Sequence, residues 1–131
     1  MFSLPEISFV ACGGAIGASL RFVVGRFCEV TWEATKFPIA TLCVNLVGCL
    51  LIGVIAGITL RNDTSPLIRI FLVTGILGGF TTFSAFGLET ITLFRSGHLT
   101  TAMLYVLVSV VGGCAGTLLG LVMTEPAPPL S

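Results

Sequence analysis

The sequence predicts an all-α membrane protein that crosses the bilayer four times. Of its 131 residues, 55% are hydrophobic and only 9% are charged, whereas soluble domains carry roughly 25% charged residues. The mean hydropathy is +1.10. Four apolar stretches each reach the length of about 20 residues that a helix needs to span a membrane. The linkers between them are short, so residues 1–131 are expected to form a single four-helix domain.

The first two stretches cover about residues 7–27 and 37–60. The first contains Arg21 and Arg26. We expect it to be retained as a span, because the N-terminus lacks the basic start of a signal peptide. The second stretch contains no charged residue. Pro38 suits its first turn, where a backbone amide has no helical partner to lose.

The third stretch, about residues 67–94, is predicted to break near its middle. It combines paired glycines, paired threonines, three phenylalanines and a carboxylate within residues 74–89. Backbone carbonyls freed at membrane depth are tolerated only inside protein or beside a cavity. As hard oxygen ligands they suit Na⁺. The fourth stretch, about residues 99–123, is expected to end before Pro126, Pro128 and Pro129.

Glycines recur at four-residue spacing, which puts them on one helix face where two backbones can approach closely. The sets are Gly13 and Gly17, Gly53 and Gly57, Gly75 and Gly79, and Gly112, Gly116 and Gly120. Two interpretations stay open: a tight oligomer, or packing between helices of one chain.

Basic residues divide unevenly but weakly between the two sides of the membrane. One side would hold Arg21, Arg26, Lys36 and Arg95, and the other Arg61 and Arg69. The excess of Lys and Arg on one side sets orientation. A bias this weak permits insertion in both orientations and hence an antiparallel dimer.

Polar and aromatic side chains inside the spans are candidates for an ion path, because polar groups in a bilayer usually face protein or water. Asn45 lies deep in the second stretch, with Thr41 one turn earlier on the same face. A structural hydrogen bond between helices is the alternative for Asn45. Phe83 and Phe86 share a face, and their positive ring edges suit an anion. Packing or lipid contact is the alternative for the rings, and Ser84 adds a hydroxyl donor.

Four further residues have both a functional and a structural interpretation. For Glu89 the functional roles are recruiting water, pairing with Arg21 or gating the path, and the structural alternative is an anchor at the membrane interface. Arg21 draws anions to a vestibule, or it snorkels to the membrane surface. Ser109 and Thr117 line a narrow track, or their hydroxyls bond to their own helix. Tyr105, one turn before Ser109, is a candidate extension of that track.

The composition disfavours several other functions. A net charge of zero gives no basic surface for nucleic acid. The five cysteines are scattered, whereas zinc needs clustered ligands. No set of nucleophile, base and oxyanion donor indicates an enzyme. His98 is expected to be a solvated turn residue with no evident partner.

Taken together, these motifs resemble the Fluc fluoride channels, also called the CrcB family of fluoride exporters. The resemblance covers essentially the whole chain. It is carried by residues 13–17 with Arg21, by residues 41–48, and above all by residues 74–86 with Glu89. Ala85, Gly87 and Gly113 stand where the family often has hydroxyl residues, so the hydroxyl track is thinner here.

The resemblance implies a passive, fluoride-selective channel that exports cytoplasmic fluoride and lowers its toxicity. It implies a dual-topology, antiparallel homodimer with two pores in a bacterial inner membrane. Phe83 and Phe86 would match the family's phenylalanine box, with Asn45 near the vestibule and Ser84, Ser109 and Thr117 in the hydroxyl track. Backbone carbonyls of Gly78 and Thr81 from each subunit would hold a central structural Na⁺.

Two rival interpretations remain. One is a small multidrug exporter, which also has four spans and couples to protons through a glutamate in its first span. Here that stretch has only Glu6, at its very beginning. The other is a packing subunit of a larger complex, which alone would move no ion.

Overall fold

A computed structural model of the chain describes residues 3–32, 36–62 and 64–124. The described residues contain four helices long and apolar enough to cross a membrane. They are α1 (Leu4–Thr31), α2 (Ile39–Arg61), a broken third span (Pro66–Arg95) and α5 (Leu99–Thr124). The third span consists of α3, residues 66–80, and α4 (Phe83–Arg95). The prediction of four spans with a broken third is confirmed. The three C-terminal prolines and Asp63 of the second linker lie outside the described residues.

α1 extends beyond the predicted span at both ends. Ser3 and Glu6 form a capping box at its beginning, in which Ser3 N–H donates to Glu6 Oε2 at 2.8 Å. Such a box satisfies amides that the first turn leaves free. At the other end, Arg26 Nη1 lies 2.8 Å from Glu29 Oε2, an i,i+3 pair that supports one more turn.

Close glycine contacts join the helices in two pairs, α1 with α3 and α2 with α5. A methyl group on Gly17 would overlap the carbonyl of Ile76. A methyl group on Gly53 would likewise overlap the carbonyl of Thr117. Packing within one chain therefore accounts for the glycine spacing at these contacts.

α3 contains a wider helical segment before the break, and α4 ends in a tight turn. Residues Ile70–Leu77 form a π-helix, a geometry that is rare and often found at functional sites. At the far end of α4, His98 N–H donates to Leu93 O and Gly97 N–H to Phe94 O. This is the Schellman motif, and Gly97 takes its left-handed position with φ of 80°.

Candidate functional site

The site is organised by the break in the third span. Thr81 (φ −78°, ψ 158°) and Thr82 (φ −149°, ψ 115°) are both extended. Asn45 of α2 holds the second of them at both backbone groups: Thr82 N–H donates to Asn45 Oδ1 at 2.8 Å, and Asn45 Nδ2 donates to Thr82 O at 3.0 Å. The interpretation of Asn45 as an interhelical hydrogen-bonding residue is confirmed.

The break also diverts a backbone amide and begins a new helix. In a continuous helix the amide of Thr82 would donate to the carbonyl of Gly78, four residues earlier; here it donates to Asn45. Thr82 then caps α4, because its Oγ1 accepts from Ala85 N–H at 3.2 Å. The positive end of the α4 dipole therefore lies at the break, where it favours negative charge.

A positive side chain also reaches the break. Arg21 Nη1 of α1 donates to the carbonyl of Thr81 at 3.3 Å. Arg21 lines a cavity of about 300 Å³ together with Thr41, Thr82 and Ser84. Arg21 thus points inward to the site, so simple snorkelling to the membrane surface does not describe it.

On another side of the break, a groove of about 340 Å³ brings four predicted residues together. Asn45, Phe83, Phe86 and Ser109 all line it. The two phenylalanine rings lie 5.5 Å apart between centroids, at 41°. Phe83 is 83% exposed, although it sits at the beginning of a membrane helix beside polar groups. Gly78 and Thr81 also line this groove.

Glu89 is held by two hydroxyl donors. Thr41 Oγ1 donates to Glu89 Oε1 and Tyr105 O–H donates to Glu89 Oε2, each at 2.7 Å. The suggested pairing of Glu89 with Arg21 is wrong, because Arg21 reaches the Thr81 carbonyl and other groups occupy both carboxylate oxygens. Through these two bonds Glu89 joins its own helix α4 to α2 and α5.

Tyr105 is a residue that the sequence interpretation undervalued. Its side chain is fully buried, with its ring 5.2 Å from that of Phe86 and 5.6 Å from that of Phe37. A buried tyrosine usually finds a partner for its hydroxyl. The presence of one tyrosine and one carboxylate in neighbouring spans was therefore the sequence signal that could have predicted this hydrogen bond.

The two hydroxyl residues of α5 behave differently. Thr117 Oγ1 donates to the carbonyl of Cys49 on α2 at 3.0 Å, so it does not bond to its own helix. Ser109 Oγ is buried and has no hydrogen-bond partner among the described residues. Both residues line a second groove of about 500 Å³.

The linkers contain one further contact that the sequence did not indicate. Lys36 Nζ lies 2.9 Å from His98 Nε2, joining the first and third linkers. The expectation that His98 has no partner is therefore wrong.

Comparison with known proteins gives a consistent result. The family described as "CrcB-like protein, Camphor Resistance (CrcB)" matches residues 8–121. A protein of Novosphingobium aromaticivorans named fluoride-specific ion channel FluC is 48% identical over 119 residues, covering 90% of this chain and 94% of its own. Proteins of the same name from Azobacteroides pseudotrichonymphae and Pseudomonas fluorescens are 43% and 44% identical, each covering 93% of this chain and 98% of their own.

Proposed function

The chain belongs to the CrcB-like family, and from this premise we propose that it is a fluoride-selective ion channel. With four membrane-crossing helices and bacterial relatives, it is a multi-pass integral protein of the bacterial plasma membrane. One observation carries the proposal: the break in the third span brings a helix N-terminus, Asn45 and the phenylalanine pair to one groove. The relatives' printed names supply the ion.

The electrostatic potential at the break favours an anion, although no fully charged side chain lies in the proposed ion path. The first-turn amides of α4 carry partial positive charge, and Arg21 adds a guanidinium bound to the adjacent Thr81 carbonyl. Fluoride is strongly hydrated, so a selective pore must replace its water with donors yet bind it weakly enough to release it. Ser84 and Ser109 supply hydroxyl donors in the cavities on the two sides of the break.

The phenylalanine pair forms the selective passage in this proposal. Ring edges are positive and ring faces negative. Phe83 and Phe86 can therefore turn edges toward a partly dehydrated anion while their apolar surface excludes bulk water. Beyond the rings, Thr41, Glu89 and Tyr105 form a hydrogen-bonded group that we propose as the gate of the path. Thr117 lies further along, on the far side of Ser109, with its hydroxyl proton donated to the carbonyl of Cys49.

A second copy of the chain completes the pore. The groove beside Phe83 is lined mainly by apolar groups. The Phe83 ring is 83% exposed, and at membrane depth an exposed ring faces either lipid or another protein chain. We propose an antiparallel, dual-topology homodimer with two pores, in which each subunit covers the other's groove. The weak charge bias of the linkers is compatible with both orientations.

Gly78 and Thr81 fit a structural Na⁺ at the dimer centre. The amide that would bond the Gly78 carbonyl is diverted to Asn45, which leaves a hard oxygen ligand. The Thr81 carbonyl already accepts from Arg21, but a carbonyl oxygen has two lone pairs. Bound there, Na⁺ would supply a fixed positive charge linking the two broken spans.

The channel in this proposal is passive and carries out no enzymatic reaction. Fluoride leaves the cytoplasm down its electrochemical gradient, driven by the membrane potential, and the toxicity of the ion is lowered.

Liposomes holding only the purified protein test the proposal. After a potassium ionophore is added, fluoride efflux is read with a fluoride electrode and chloride efflux in parallel. We expect fast fluoride loss with negligible chloride loss. Phe83→Ile and Phe86→Ile are each expected to slow fluoride loss, whereas Phe94→Ile, a 59% exposed residue of the same helix, is not. A folded wild-type dimer that moves no fluoride would favour the exporter or packing-subunit interpretations.

A further inference from the structure

Cys49 of α2 lies where the two grooves of the site meet. It lines the groove of about 340 Å³ that contains Phe83 and Phe86, and also the groove of about 500 Å³ that contains Thr117. Ser109 and Val110 of α5 are the other residues common to both. The two grooves therefore meet at these three side chains.

A glycine on the opposite helix leaves room for the thiol. A methyl group on Gly113 would lie 3.3 Å from Cys49 Sγ, tighter than an ordinary van der Waals contact. The sulfur thus occupies the space that a side chain at position 113 would fill. The sequence could not indicate this position of Cys49, because it depends on how α2 and α5 pack.

The donors at this junction are otherwise few. The Thr117 hydroxyl proton is committed to the carbonyl of Cys49 at 3.0 Å. Ser109 Oγ is buried without a hydrogen-bond partner among the described residues, an expensive state unless a further partner arrives. This unpaired hydroxyl is an observation independent of the cysteine, and a polar species at the same junction would satisfy it.

We propose that Cys49 lines the ion path and helps to determine its selectivity. Its S–H, a weak donor on a polarizable sulfur, acts with the Ser109 hydroxyl to carry the anion from the phenylalanine groove to the Thr117 groove. This inference rests on the proposed fluoride channel.

The test combines substitution with chemical modification in the liposome assay. Cys49→Ala is expected to lower the fluoride efflux rate about two- to threefold, as the loss of one weak hydrogen bond implies. Cys49→Ser, which keeps a donor, is expected to retain the wild-type rate. Cys12→Ala is the matched control, since Cys12 is exposed on α1 and lines neither groove.

S-methyl methanethiosulfonate is then added to each protein. The Cys49 thiolate attacks the reagent's sulfenyl sulfur, an S–S–CH₃ group forms on the protein, methanesulfinate leaves and the thiol proton goes to buffer. Because Cys114 also lines the groove of about 500 Å³, all proteins in this step carry Cys114→Ala. In that background the otherwise wild-type protein and Cys12→Ala are expected to lose efflux, and Cys49→Ala to be insensitive. Mass spectrometry reports the labelling of Cys49, so the wild-type measurement stands even if a variant fails to fold.

The outcomes separate the two proposals. Fluoride-conducting wild type whose Cys49 stays unlabelled, or is labelled with no change in efflux, would overturn the role of Cys49 alone. Wild type that conducts no fluoride would overturn the channel and this inference together.

Discussion

The two hydrogen bonds between Asn45 and Thr82 give a quantitative prediction. Asn45→Ala removes both bonds and leaves the backbone N–H and C=O of Thr82 without partners at membrane depth. Interhelical hydrogen bonds in membranes average about 0.6 kcal/mol each, so two give a lower bound of about 1.2 kcal/mol. Leaving a buried polar group unsatisfied costs about 1–3 kcal/mol per group. We expect the free energy of unfolding to fall by about 2–6 kcal/mol, the sum of this cost for the two groups.

Titration with sodium dodecyl sulfate in mixed micelles can measure this loss, with fluorescence of Trp32, the only tryptophan, as the signal. Variants are compared at one protein concentration, because the proposed dimerisation would shift apparent stability. Thr59→Ala is the control in the same helix, because the Thr59 hydroxyl donates to the carbonyl of Ala56 in its own helix, a bond that adds little. Equal losses in Asn45→Ala and Thr59→Ala would refute the assignment of the break to Asn45.

Three further predictions follow from the packing and the hydrogen bonds. Gly17→Ala is expected to lower the unfolding free energy by about 1–3 kcal/mol through overlap with α3; Gly25→Ala, with nothing within 4 Å, should match wild type in the same titration. Ser109→Ala should leave the thermal midpoint unchanged or raise it, because it removes a buried oxygen that has no partner among the described residues, while fluoride efflux falls; a large loss of stability would contradict this. Tyr105→Phe keeps the ring but removes one donor to Glu89, so unfolding should become about 1–3 kcal/mol easier, and no change would mean that the bond contributes nothing.

Local composition was enough to predict the four spans and the break. Uninterrupted apolar runs specify a membrane helix almost without regard to their neighbours, because the bilayer itself is the solvent. The break was also local, since paired glycines beside Thr81 and Thr82 lower helix propensity in one place. α1 runs four residues beyond the predicted end at Phe27. The Arg26–Glu29 ion pair supports this extra turn, and a prediction based on hydropathy does not detect such a pair.

Contacts between helices could not be predicted from the sequence. Spacing tells which residues share a face but not which face meets which, so Arg21 was wrongly considered as a partner of Glu89. The hydroxyl of Tyr105, 16 residues away in sequence, is bonded to that carboxylate instead. The position of Cys49 against Gly113 has the same origin, because it depends on the rotation of α2 relative to α5.

The hydrogen bonds at the break separate what one chain does by itself from what the proposed dimer would add. Asn45 and Arg21 hold the extended residues, and Thr82 caps α4, all within a single chain. The positive end of α4 is therefore oriented before any second copy arrives, as an electrostatic site must be if it is to act without reorganising. Phe83, at 83% exposure, lacks such support. Substitutions at Asn45 should consequently act on folding, whereas those at Phe83 should act on dimerisation and ion passage in a chain that still folds.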